Sequence, residues 1–204
     1  MGNALAQKTR VRTNLRTDSV CSMQVQAAEF ATLWASYPDN PPFVDPRTGK
    51  PPPGYENQCA IKVSVSIHGV GVEMKSFRGA AEKLNGLPAA LLGSQLAAWR
   101  KQQPFYGLPT SPENVTGAGW QNKIRGRTGI VYFADYWARN ARAKASGKPT
   151  GDYIDLWNGS RTATDMSFFS TMGRRIGLDS LGVGTSWGYL DLGRSSEIQF
   201  WEVK

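Results

Sequence analysis

Seven of the chain's twelve prolines fall between Pro38 and Pro53, in the stretch PDNPPFVDPRTGKPPPG. Proline fixes its own φ and has no N–H, so neither a helix interior nor a central strand can run through this stretch. It reads as a partly extended loop with few conformations to lose on folding. Just before it, Phe30, Leu33, Trp34 and Tyr37 stand at i, i+3, i+4 and i+7, one face of an amphipathic helix that ends at Pro38. Too little chain precedes the loop to fold alone, so the loop is not a domain linker. The 204 residues are expected to form one domain, with polar residues 1–20 as a flexible arm.

Beyond the loop the pattern is mixed. In NQCAIKVSVSIHGVG, Ile61, Val63, Val65 and Ile67 alternate with Lys62, Ser64, Ser66 and His68, and both the period and the β-branching say strand. Pro88 suits the first turn of a helix running to about Gln102, with Leu92, Leu96 and Trp99 on one face. A Pro/Gly-rich loop spans 104–119. Strands are expected over 128–134, 153–157, 187–192 and 197–203, and a helix over 165–176. Asn158-Gly159 closes the second of those strands as a turn. Helix first and antiparallel strands later is an α+β layout. Trp120, Trp137, Trp157, Trp187 and Trp201 read as core. Trp157 also shares a strand face with Tyr153 and Asp155, which makes it a candidate to line a cleft and bind ligand.

Composition narrows the function. The net charge of +8 favours an acidic partner. Between Lys123 and Lys148 seven basic residues face one acid, with Tyr132, Phe133, Tyr136 and Trp137 interleaved. No nucleic-acid motif accompanies them, so this reads as a solvated face beside core aromatics, and no nucleic-acid partner is expected. No apolar run approaches the ~18 residues of a membrane span, and the basic start has no apolar stretch behind it, so neither membrane insertion nor a Sec-type leader is expected. One histidine, His68, and two cysteines, Cys21 and Cys59, leave no disulfide framework or multi-histidine metal site, and no cofactor is expected.

Cys59 follows the proline loop and opens an apolar element. At a helix N-terminus its thiol would meet orphan N–H groups and the positive dipole end, which favour thiolate and can hold an oxyanion. On local sequence alone a buried structural cysteine is the commoner outcome. The blocks NQCAIKVSVSIHGVG, TGIVYF, GDYIDLWNG and EIQFWEV, however, resemble in order and spacing those of the type VI secretion amidase effectors of the fourth family. The resemblance runs from about Gln24 to the C-terminus. It implies a papain-like, NlpC-type α+β fold in which Cys59 to about Gly69 is helix, against its own propensity. It also implies that Cys59 is the nucleophile and that backbone N–H groups at Gln58 and Cys59 form the oxyanion hole; Gln58, Asp155 and Trp157 are the expected binding residues. The implied activity is hydrolysis of the γ-D-glutamyl–meso-diaminopimelate bond of peptidoglycan stem peptides. The chain would leave the bacterial cytoplasm by the type VI secretion machinery and act in the periplasm of a rival cell. A cognate immunity protein would plug the cleft.

One position departs from the pattern. The related block carries His where this chain has Tyr153, and the third catalytic residue maps onto Asp165, with Asp155 as the alternative. His68 is no substitute: nine residues on from Cys59, about 900° along a helix, it points half a turn away. A phenol with a reference pKa near ~10 cannot form a thiolate–imidazolium pair. The expectation is therefore an amidase of low activity, or an inactive binder of peptidoglycan or immunity protein on the same scaffold. A nucleic-acid-binding protein is the remote alternative.

Overall fold

The computed structural model describes residues 6–12, 20–26, 28–102, 105, 107–109, 111–137, 145, 150–164 and 192–204, the first two stretches by backbone alone. Strand β1 (Ala6–Arg12) pairs antiparallel with β2 (Val20–Gln26), so part of the expected arm is a hairpin. Helix α1 (Phe30–Ala35) leads into the proline loop, and α2 (Cys59–Gly69) leaves it. A second hairpin follows, β3 (Ala81–Leu84) and β4 (Leu87–Ala90), then α3 (Gly93–Arg100), the two-residue β5 (Glu113–Asn114) and α4 (Trp120–Ile124). Three long strands complete the described elements: β6 (Gly129–Trp137), β7 (Gly151–Trp157) and β8 (Glu197–Glu202). They form an antiparallel sheet with β5 in the order β5-β8-β6-β7.

Helices cover both faces of this sheet. A Cβ at Gly93 of α3 would stand 3.5 Å from the side chains of Asp152 and Ile154. At the other end of α3, Arg100 lies over the Trp201 ring, and Trp201 pairs in register with Ile130. On the opposite face Trp120 of α4 meets Phe133 and Trp157 edge-on, with centroids 4.9 and 5.2 Å apart. Strand β7 is therefore buried at all seven positions, which explains why its sequence lacks a clean polar alternation.

Helix α2 resolves the conflict between propensity and resemblance in favour of helix. Its alternating serines do not mark a wet strand face. Both are buried and hydrogen-bonded: Ser64 Oγ donates to Ala60 O at 2.8 Å and accepts from Ala90 N at 3.0 Å, and Ser66 Oγ donates to Leu33 O at 2.7 Å. The hydroxyls tie α2 to β4 and α1, so the helix is buried on nearly every side and tertiary contacts outweigh a propensity deficit of a few tenths of a kcal/mol per β-branched residue, roughly. At its end a Cβ on Gly69 would fall 2.2 Å from Ser36 Cβ, so only glycine allows α1 and α2 this close.

The helix expected from Pro88 starts later. Pro88 sits in β4 because Asn85 and Gly86 both take positive φ, 51° and 81°, and turn β3 into β4 as a tight hairpin. The helix proper begins at Gly93 and buries Leu96 and Trp99. Asp135, at φ 50°, marks the irregularity that interrupts β6–β7 pairing between Phe133 and Trp137. The helix expected over 165–176 lies outside the described residues, as does the strand expected over 187–192 apart from Leu192.

Candidate active site

Cys59 is the first residue of α2, and the helix lays its N-terminal end against the edge strand β7. Cys59 is 7% exposed, and the backbone N–H groups of Ile154 and Ala60 face its sulfur in the sense that favours thiolate. Burial dominates its ionisation. It pushes the Cys59 thiol up to about 12, the Asp155 and Asp152 carboxylates push the same way, and the two N–H contacts only partly oppose them. The expected depression of the pKa by the helix terminus is thus overridden. A helix end supplies at most ~2 kcal/mol toward the thiolate, and the desolvation of a thiolate buried at this depth outweighs it.

Tyr153 and Asp155 meet on one face of β7. The Tyr153 hydroxyl donates to Asp155 Oδ2 at 2.5 Å, and both residues are 0% exposed. Asp155 Oδ2 also accepts from Thr164 N at 3.0 Å, and Oδ1 accepts from Leu156 N at 2.8 Å. Burial still raises the carboxyl above its ordinary range, with these bonds pulling it back. The phenol is pushed well above 10, first by burial and then by the Asp155 charge. The position is a hydrogen-bond donor, not a base.

Tyr37 and Thr164 join the cluster, and the sequence did not single out either. Tyr37 completed a helical apolar face in the periodicity, yet it lies just past α1 with its hydroxyl 2.8 Å from Thr164 Oγ1. Its phenol is raised first by burial and then by the Asp155 charge. A tyrosine at the end of an apolar stripe, directly before a proline, was the available signal. Lys62, one turn into α2, stands 5.6 Å from the Tyr37 ring centroid and donates to Asp39 O at 2.9 Å.

The remaining expected site residues sit elsewhere. Gln58 spends its side chain on the proline loop, accepting from Phe43 N at 2.9 Å and donating to Phe43 O at 2.6 Å. The Cys59 N–H donates to Asn57 Oδ1 at 3.2 Å, so this oxyanion donor is engaged in the present state. Trp157 is 2% exposed, and its Nε1 donates to Ile124 O at 3.0 Å, which makes it a core residue under α4 and corrects the cleft-lining expectation. Asp165 lies outside the described residues, and Asp155 is the acid that meets Tyr153. His68 bonds Pro88 O through Nε2 at 3.1 Å, away from the thiol, as its helical phase requires. In the basic stretch, Arg127 pairs with Glu113 and Glu202 while Tyr132 and Phe133 are buried. Among the described residues no group of His, Cys, Asp and Glu could hold a metal ion, and no helix is long and apolar enough to cross a membrane.

A cysteine heading a buried helix, laid against an antiparallel sheet whose edge strand carries a buried acid, defines an α+β protein of papain-like fold. The crystal structure of the type VI effector Tae4 from Enterobacter cloacae shares this fold, with a TM-score of 0.52 at 15% identity over 89% of this chain and 100% of that one. Residues 55–201 match the model of a sequence family described as type VI secretion system amidase effector protein 4, Tae4. The chain belongs to that family, which makes it an amidase of the antibacterial effectors that type VI systems secrete, with peptidoglycan the implied target. Two further structures are similar at lower TM-scores. The Tae4–Tai4 effector–immunity complex from Enterobacter cloacae gives 0.47 at 17% identity over 72% of this chain and 75% of that one. Tae4 from Salmonella typhimurium with Tai4 from Enterobacter cloacae gives 0.45 at 16% over 72% and 76%. No protein of curated function matches the chain.

Proposed function

We propose that this chain is a cysteine-dependent hydrolase of the γ-D-glutamyl–meso-diaminopimelate bond in peptidoglycan stem peptides, weakened by Tyr153. The observation that carries the reading is Cys59 at the head of α2, against β7 beside the Tyr153–Asp155 pair. Cys59 Sγ attacks the amide carbonyl, a C–S bond forms, the C–N bond breaks, and the amine departs with a proton. Water then hydrolyses the thioester. Each half needs a group that both accepts and returns a proton near neutral pH. Tyr153, raised well above 10, gives no such group, so turnover is slow. Asp155 takes the orienting role, and Asp165 is its competitor.

Tyr153→His tests this on purified stem peptides. Imidazole is smaller than phenol and fits the space. The expected gain is at least ~10³ in turnover, the usual cost of a missing base, and Cys59→Ala in the same background should remove it. A folded Tyr153→His protein that stays inert would sink the reading. The buried, protonated state of Cys59 favours one other reading, an inactive binder on this scaffold, and the same assay separates the two. The partner we propose is an acidic immunity protein that covers the cleft in the target periplasm. The charge of +8 should steer its association, which then slows as salt rises.

A further inference from the structure

Arg100, the last residue of α3, is 0% exposed, and its Nε, Nη1 and Nη2 have no hydrogen-bond partner among the described residues. Its guanidinium carbon lies 4.1 Å from the centre of the Trp201 ring, and Trp201 is also 0% exposed with an unpartnered Nε1. A guanidinium stripped of water is among the costliest groups to bury, and such charges are paired in folded proteins. The stacking contact recovers only part of that cost. The negative end of α3 adds little, since the helix is short and its carbonyls take no bond from this side chain. Desolvation drives the guanidinium well below its usual pKa, and no acidic side chain among the described residues pairs with it. Four N–H-bearing nitrogens on two stacked side chains are therefore left without acceptors, and the one buried acceptor also unpartnered among the described residues, Gln199 Oε1 two residues along β8 from Trp201, carries no charge to balance the guanidinium.

We infer that Arg100 and Trp201 bind a small monovalent inorganic anion of chloride size. Donors dominate this spot, which selects an anion over water or a cation. One guanidinium balances one negative charge. Zero exposure selects a small ion over the carboxylate of a peptide, which would need an open channel. The site lies on the α3 face of β8, three strands' width of sheet spanning β8, β6 and β7, and it owes nothing to the amidase chemistry at Cys59.

The test is thermal unfolding of the full chain and of Arg100→Met while sodium chloride replaces sodium gluconate at constant ionic strength. Chloride at about 100 times its dissociation constant should raise the melting temperature of the unaltered chain by about 5–10 °C. Arg100→Met, which keeps the stem and loses the donors, should not respond. A melting temperature indifferent to chloride in the unaltered chain overturns the inference, since Arg100 then finds its counter-charge within the chain. An equal response in both proteins overturns it too. If Arg100→Met fails to fold, crystals of the unaltered chain soaked in bromide decide the matter. An anomalous peak against Arg100 and Trp201 Nε1 supports the site, and its absence refutes it.

Discussion

A thiol with a pKa pushed up to about 12 should be slow in a way that can be calculated. At pH 7 the thiolate fraction of Cys59 is about 10⁻⁵, against about 3% for an unperturbed cysteine near 8.5. That is a deficit of ~3 × 10³. Thiolate nucleophilicity rises with pKa at a Brønsted slope of about 0.4–0.5, which returns a factor of roughly 40. Cys59 should therefore exchange with a small aromatic disulfide about 100-fold more slowly than glutathione at pH 7, and more slowly still where burial blocks the reagent. The assay is stopped-flow absorbance on a Cys21→Ser background, which leaves Cys59 as the only thiol. The rate should climb close to tenfold per pH unit from 7 to 10 without levelling. A rate equal to glutathione, or one that levels below pH 8.5, would refute the argument that burial outweighs the helix terminus. Tyr153→His should bring that plateau down, because an imidazolium beside the thiolate supplies the charge that Tyr153 cannot.

Four further outcomes follow from the same geometry. Because the fold raises the Cys59 pKa, its contribution to stability is complete below pH 8.5 and is lost as pH rises toward 12; Cys59→Ala should flatten the fall in stability seen by urea unfolding between pH 9 and 10.5. Asp155→Asn removes the carboxylate that pushes the thiol up, so Cys59 should ionise at lower pH in the disulfide assay, while the Tyr153→His protein that also carries it should lose its regained turnover. Gln58→Ala deletes both bonds that pin Phe43 and should cost about 1–3 kcal/mol in urea unfolding. Trp157→Phe leaves Ile124 O unpaired and a void under α4, so it should cost about 2–3 kcal/mol yet leave KM for stem peptides unchanged in the Tyr153→His background.

Local rules reached far along this chain wherever one physical term dominated. Prolines between Pro38 and Pro53 can form only a loop, and the periodicity of Phe30, Leu33 and Trp34 predicts the helix that α1 forms. TGIVYF and EIQFWEV read as strands and are β6 and β8. Asn85-Gly86 is an Asn-Gly turn signal that went unread beside the helical expectation for Pro88. The phase of His68 already excluded it from the thiol.

Other outcomes depended on contacts between distant segments. The β-branched residues of α2 favour a strand, and no local pattern says that Ser64 and Ser66 will find Ala90 N and Leu33 O. Gln58 looked like a substrate contact until the loop folded back and placed Phe43 on its amide. Trp157 shares a strand face with Asp155, but α4 settles on that end of the sheet and takes it into the core. Family resemblance, not local propensity, put Cys59 at the head of a helix, while period and β-branching placed Tyr153 and Asp155 on one strand face. Only the tertiary structure decided the protonation of Cys59, because desolvation depends on everything packed around an atom, and that outweighs the helix terminus, which acts over a single turn.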